Sequence, residues 1–226
     1  MRPYIISHMM MSVDGRIDCP MVAQISGEEY YTALDSLGVS SKLSGRVTAS
    51  LECTAVSEET SGYTGSALNG ESVHKEVDSE EYTIVVDTHG RLLMSSGEAD
   101  GHPLIVIMSE DVSEAHLEQL RTNHVSWIAT GNGRIDLHRA MRILAESFGV
   151  KRLILVGGGH INGGFLEAGL VDEVSVMMAP GIDGRKGETA VFDGCTWKGD
   201  SPYRLKLNSV EQVPGTEVIW VRYQCL

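Results

Sequence analysis

Between Leu153 and Val174 the chain reads LILVGGGHINGGFLEAGLVDEV. A short β-type run meets three successive glycines, Gly157 to Gly159, and after His-Ile-Asn come Gly163 and Gly164. Glycine at this density costs backbone entropy and supplies no packing surface, so it belongs where φ is positive or where another group approaches the backbone. The order strand, glycines, helix also leaves backbone N–H groups and a positive helix end at the C-terminal edge of a sheet, which suits a pyrophosphate. Two readings stand at this point: a phosphate cradle, or a tight turn that only reverses the chain.

The named phosphate motifs do not fit the letters. A Walker A loop needs Gly-Lys-Ser/Thr, which is absent, and the fingerprint G-x-G-x-x-G would need glycine where Asn162 stands. A Rossmann fingerprint also belongs to the first βα turn of its unit, whereas this loop comes late in the chain.

Around it the sequence alternates between strand and helix signals. Tyr4 to Met9 reads as a strand, followed by the polar loop Ser12 to Asp18, SVDGRID. Ser26-Gly-Glu-Glu29 fits a capping box that starts a helix through about Leu37. Leu43 to Thr48 is a strand-to-helix passage, and Glu52 to Glu81 is polar, without periodicity, and reads as a long irregular excursion. Buried strands are expected at Tyr82 to Asp87, Leu104 to Met108, Val125 to Ala129 and Arg152 to Val156, with helices at Glu114 to Arg121 and Asp136 to Phe148. A short helix to Ala168 and a strand from Glu173 to Met178 precede an irregular acidic stretch. Two terminal strands, Tyr203 to Val213 and Glu217 to Tyr223, flank the turn signal Pro214-Gly215. The pattern predicts one α/β domain over residues 1–226: three layers, a mixed, mostly parallel sheet flanked by helices, and an antiparallel C-terminal hairpin.

Charge and cysteine usage narrow the function classes. With 18 Lys and Arg against 31 Asp and Glu, the net charge of −13 repels nucleic acid. Cys19, Cys53, Cys195 and Cys225 form no C-x-x-C pair, so neither a zinc knuckle nor a redox dithiol is expected, and no metal site is assigned. Neither G-x-S-x-G nor H-E-x-x-H occurs, which ranks a hydrolase or metalloenzyme last. No apolar run is long enough to span a bilayer and the first residues lack the pattern of a signal peptide, so the expectation is a cytoplasmic protein with no membrane partner.

Four blocks carry a family resemblance: Met11-Ser-Val-Asp-Gly-Arg-Ile17, Ser44-Gly-Arg-Val-Thr48, Val85-Val-Asp-Thr-His-Gly-Arg-Leu92, and Leu155 to Val174 together with Ala179-Pro180. They resemble the reductase family of riboflavin biosynthesis, the C-terminal domain of the bifunctional deaminase/reductase, which has the dihydrofolate reductase-like fold. The likeness covers nearly the whole chain and is weakest from Glu52 to Glu81. It implies NADPH as hydride donor and a homodimer, joined through the C-terminal ribbon. It implies a cis peptide at the double glycine, with Gly157, Gly158, Gly159, His160 and Ile161 facing the cofactor phosphates. Gly15, Gly45, Arg46 and Thr48 join them as cofactor-binding residues, with Ser109 at the adenosine 2′-phosphate. Glu110 and Asp111 follow Ser109 where a basic residue would favour that phosphate.

For the chemistry, Asp14 is the polar candidate beside the nicotinamide, and its alternative is an Asx turn onto Gly15 and Arg16. His8, Met10 and Ser12 are candidates for the substrate pocket; for HMMM the alternative is core packing. The chain departs from the family in having Val156 where a Glu precedes the double glycine, in lacking an Asp-x-Pro substrate-loop pattern, and in lacking the deaminase motifs H-x-E and P-C-x-x-C. The expected function is an NADPH-dependent reductase acting on a pyrimidine or another small carbonyl or heterocyclic substrate. The alternatives are folate reduction, with Glu28, Glu29 or Asp35 as the acid, and a non-catalytic nucleotide-binding protein on the same fold. Thr130-Gly-Asn-Gly133 is a second glycine loop at a strand end, equally a cofactor-lining loop or a plain turn.

Overall fold

A computed structural model of the chain describes residues 1–17, 19–38, 41–53, 55–58, 67–68, 70–196 and 202–226. In chain order the elements are β1 (Tyr4–Met11), α1 (Cys19–Val22), α2 (Glu29–Ser36), β2 (Ser41–Gly45), α3 (Arg46–Glu52), β3 (Val56–Glu58), β4 (Ser72–His74), β5 (Thr83–Val86), β6 (Leu92–Met94), β7 (Glu98–Ala99), β8 (His102–Met108), α4 (Glu114–Thr122), β9 (Ser126–Ala129), α5 (Leu137–Ser147), β10 (Arg152–Gly157), α6 (Gly159–Glu167), β11 (Glu173–Met178), β12 (Leu205–Gln212) and β13 (Ile219–Cys225). They fall into two compact units: Met1–Pro3 with Ser40–Leu153, and Tyr4–Val39 with Ile154–Leu226. The α/β class expected from the sequence, a mixed and mostly parallel sheet flanked by helices with an antiparallel C-terminal hairpin, is the one that forms.

In the first unit β2, β5, β8 and β9 run parallel and in that order, and β4 closes the edge antiparallel to β9. The apolar runs TIVV and SWIA are buried at every residue, as parallel strands covered on both faces require. Their core gathers Val85, Leu104, Val106, Met108, Leu117, Leu120, Val125 and Trp127. On α5, Ala140, Met141, Ile143 and Leu144 are buried, the face that the helical spacing of its apolar residues marks. Asp136 caps α5 by accepting from Arg139 N at 2.9 Å, and Ser113 caps α4 by accepting from His116 N at 3.2 Å.

In the second unit β1 pairs parallel with β11, which pairs antiparallel with β13, and β13 with β12; β10 lies on the other side of β1. One face of β1 presents Ile6, His8 and Met10 to α2, where Tyr30, Ala33, Leu34 and Leu37 meet them.

Three details differ from expectation. The capping box does not form at Ser26: its hydroxyl donates to Val22 O at 2.8 Å, and the Glu29 carboxylate accepts from Gly27 N instead, so α2 starts at Glu29. Part of the Glu52 to Glu81 excursion is regular, since β3 pairs with β6 and β4 with β9; its residues 54, 59–66 and 69 lie outside the described residues, as does Asp18 of the SVDGRID loop. The short strands β6 and β7 carry too few residues for a periodicity to show.

Candidate active site

The glycine-rich turn of the second unit begins where β10 ends. Gly157 has φ of +134°, a conformation that only glycine adopts without strain, and the Gly157–Gly158 peptide is cis. Gly158 is the extended N-cap of α6; no side chain caps the helix and no acidic residue stands in its first turn. The N–H groups of Ile161 and Asn162 both donate to Gly158 O, at 3.0 and 3.1 Å. The positive end of α6 therefore carries no carboxylate of its own first turn, an arrangement suited to an anionic ligand.

The other glycines serve a different neighbour. A Cβ at Gly159 would lie 2.2 Å from Ala190 O, and one at Gly163 2.0 Å from Asp193 O, whereas Gly164 has nothing within 4 Å. Residues 189–195 thus lie flush on one face of α6. Asp193 N donates to Gly159 O at 3.0 Å and Asn162 Nδ2 to Val191 O at 2.8 Å. Asn162 stands where the dinucleotide fingerprint asks for glycine because its side chain ties this strap down.

The same strap meets the SVDGRID loop at its other end. Val13 N donates to Gly181 O at 2.8 Å, Ile17 N to Thr189 O at 3.2 Å, and Val191 N to Gly15 O at 3.2 Å. Asp14 accepts from Ser12 Oγ at 2.7 Å, Asp183 N at 2.9 Å and Gly184 N at 3.0 Å. The Gly184 amide, then the Ser12 hydroxyl and the Asp183 amide, hold the Asp14 carboxyl down at about 2. At neutral pH it is ionised and accepts only; the Asx turn onto Gly15 and Arg16 does not form, since Arg16 N donates to Ser12 Oγ at 3.1 Å and the Asp14 carboxylate reaches Asp183 and Gly184 instead. Gly15 sits in the same turn with φ of +81°.

Of the candidates for the substrate pocket, His8 and Met10 turn inward. Met10 packs with Ala33, Met177, Ala179 and Val218. His8 is wholly buried, stacked on Tyr30 at 4.8 Å, with Nδ1 2.9 Å from Ser175 Oγ and Nε2 3.4 Å from Tyr30 O. Trp220 Nε1, a donor only, points at the same Ser175 oxygen from 2.8 Å. This leaves the Ser175 proton for His8 Nδ1 and assigns the ring proton to Nε2. Burial lowers the His8 pKa to about 4, so the ring is neutral and serves the core. The alternation of β1 explains both residues: every second side chain faces α2.

In the first unit, α3 also starts from a glycine. Gly45 is its N-cap, with no side-chain cap and no acidic residue in the first turn, which holds Arg46 and Thr48. Asp87, buried at the end of β5, accepts from Leu92 N at 2.7 Å; burial raises its pKa while Leu92 N, Arg91 N and the charge of Arg46 oppose the shift. Ser109 is fully buried and its hydroxyl donates to Thr88 O at 2.8 Å, which ties the loop after β8 to the loop after β5. Glu110 Oε1 accepts from Gly131 N at 2.9 Å and Asp111 Oδ2 from Gly133 N at 2.6 Å. The Thr130 to Gly133 loop is therefore filled by the chain's own carboxylates.

Residues 3–219 match the RibD C-terminal domain. The chain belongs to the RibD C-terminal domain family. It is 30% identical over 203 residues to a 2,5-diamino-6-ribosylamino-4(3H)-pyrimidinone 5′-phosphate reductase of Methanothermobacter thermautotrophicus, covering 86% of this chain and 85% of that one. The fold is shared with a pyrimidine reductase-like protein of Corynebacterium diphtheriae (TM-score 0.72, 17% identity, 99% of this chain and 92% of that one). It is shared also with RibD of Acinetobacter baumannii (TM-score 0.69, 18% identity, all of this chain); the chain spans 58% of that protein's length.

Within this family setting, the feature that sequence reading missed is the strap from Ala179 to Cys195, taken there as an irregular acidic stretch. Its signals were present as Asp183-Gly184 and Asp193-Gly194, turn dipeptides with φ of +68° and +71° at the glycines. Nothing in the local letters says which surface such a segment lies on.

Proposed function

We propose that the chain is an NADPH-dependent reductase that transfers hydride to a ribosylaminopyrimidine phosphate of riboflavin biosynthesis, the substrate type named for its Methanothermobacter relative. The observation that carries this reading is the start of α6, a glycine turn with no side-chain cap and no first-turn acid, in a chain of a reductase family. These features fit the cofactor: Gly157, Gly158, Gly159 and His160 would hold phosphate oxygens through backbone N–H groups and the helix dipole, with Ile161 closing the turn through its bond to Gly158 O. The Gly45, Arg46 and Thr48 corner offers a second helix start of the same kind. When bound, the nicotinamide supplies the hydride; the protein's part is to bind, orient and exclude water.

Ser12 enters as part of the loop on the substrate side, and Gly15 of the same loop on the cofactor side. His8 and Met10 act through packing, and Ser109 through its bond to the loop after β5. A homodimer joined at the C-terminal ribbon belongs to the same proposal, supported by β12, where all eight residues are exposed, Leu205, Leu207 and Val210 among them. So does a cytoplasmic location; among the described residues no helix is long and apolar enough to cross a membrane.

The test is calorimetric titration of purified protein with NADPH and, separately, NADH, followed by a substrate assay. Gly158→Val should abolish nucleotide binding and leave most of the secondary structure, read by circular dichroism. Normal NADPH affinity in that variant would remove the assignment.

A further inference from the structure

The strap between β11 and the end of residue 195 is fastened at two places within the second unit. At its start, the Asp14 carboxylate takes both the Asp183 and Gly184 amides, at 2.9 and 3.0 Å, and Val13 N reaches Gly181 O. At its end, Asn162 Nδ2, Gly159 O and Gly163 O take Val191 O, Asp193 N and Cys195 Sγ. Between them Arg16 and Ala190 form an antiparallel bridge, and Ile17 N and Gly15 O take Thr189 O and Val191 N. The strap therefore lies across the SVDG turn and the first turn of α6, and the approach at Gly159 and Gly163 leaves no room for it to shift without losing these bonds.

We infer that Asp14 is a positioning residue for the glycine turn: by holding the Asp183 and Gly184 amides it seats the strap, and the seated strap fixes Gly159 and the first turn of α6 in the form that receives the nucleotide. The inference rests on the reading of that turn as a nucleotide site, but the positioning itself is a property of the protein without ligand. Three charge-assisted hydrogen bonds converge on one carboxylate, so its removal frees the strap at one end while the Asn162 fastening remains.

Amide hydrogen exchange and nucleotide titration on Asp14→Ala, Asp14→Asn, Asn162→Ala and the Asp14→Ala/Asn162→Ala double variant decide it. Asp14→Ala should raise exchange at Ile161, Asn162 and Asp193 about tenfold without nucleotide and weaken NADPH binding by about the same factor, as the loss of charge-assisted bonds implies. Asp14→Asn, which keeps one carbonyl acceptor, should recover part of both. Combining Asp14→Ala with Asn162→Ala should weaken binding by less than the product of the single effects, because both loosen one strap. Unchanged exchange at Ile161, Asn162 and Asp193 in Asp14→Ala overturns the inference, as does a double variant whose effects multiply. Loss of turnover with affinity and exchange intact would overturn it too, by making Asp14 act on the substrate. If the wild-type protein binds neither NADPH nor NADH, the proposed function fails, and the exchange comparison still decides the role of Asp14.

Discussion

Two glycine turns, each following a β-strand, end in opposite states. At Thr130 to Gly133 the amides of Gly131 and Gly133 are taken by Glu110 and Asp111, so the chain itself fills the anion-binding positions. At Gly157 to Ile161 the helix start has neither a side-chain cap nor a first-turn acid. The same residue type thus marks a closed turn in one unit and an open one in the other, and what separates them is where the nearest carboxylates lie. Glycine content alone does not identify a phosphate cradle; the placement of the chain's own carboxylates around the turn bears on it as well.

The largest expected effect tests whether the two units share their physics away from these turns. Each contains a fully buried histidine, His8 and His116, whose pKa burial lowers to about 4. Because the unfolded chain binds these protons near pH 6.5, stability should fall as pH drops from 6.5 to 4, by up to about 3 kcal/mol for each histidine, and level off in this respect below 4. Urea unfolding at pH 7, 5.5 and 4.5 reads it; a flat profile refutes the buried neutral state. Asp14, held at about 2, adds its loss only below about pH 4.

Next is Gly163→Ala, whose Cβ would meet Asp193 O at 2.0 Å. The strap must lift, at roughly 2–3 kcal/mol. An unfolding midpoint equal to wild type would mean that the strap is not seated there. A smaller effect comes from the closed turn: Glu110→Ala should cost about 1 kcal/mol through the lost Gly131 N–H bond and leave NADPH affinity within about twofold. A large loss of affinity would erase the contrast between the two turns. Smallest, and opposite in sign, Gly164→Ala has open space around its Cβ in mid-helix and should stabilise by roughly 0.5–1 kcal/mol.

The contrast also marks what the letters could carry. Strands such as Leu104 to Met108 and the strand-to-helix corner at Gly45 were legible because continuous apolar runs and a glycine junction are local signals. His8 and Met10 were not: whether a residue of a strand faces a pocket or a helix depends on what packs above it, and α2 does so here. Ser109 and Asp14 show the same limit from the polar side, since both are at the expected loops but their hydrogen bonds go to Thr88, Asp183 and Gly184, partners up to 170 positions away. Position is written locally, whereas partnership is a property of the folded chain.

The exposed strand β12 carries a consequence for the protein in concentrated solution. A strand bare on its outer side offers a template on which another strand can grow, the first step toward ordered aggregates. Two features here blunt that edge: the irregularity in pairing between Leu207 and Ser209, which breaks the ladder, and the charges of Lys206 and Glu211. The net charge of −13 adds mutual repulsion between molecules, so salt that screens it should narrow the margin of colloidal stability.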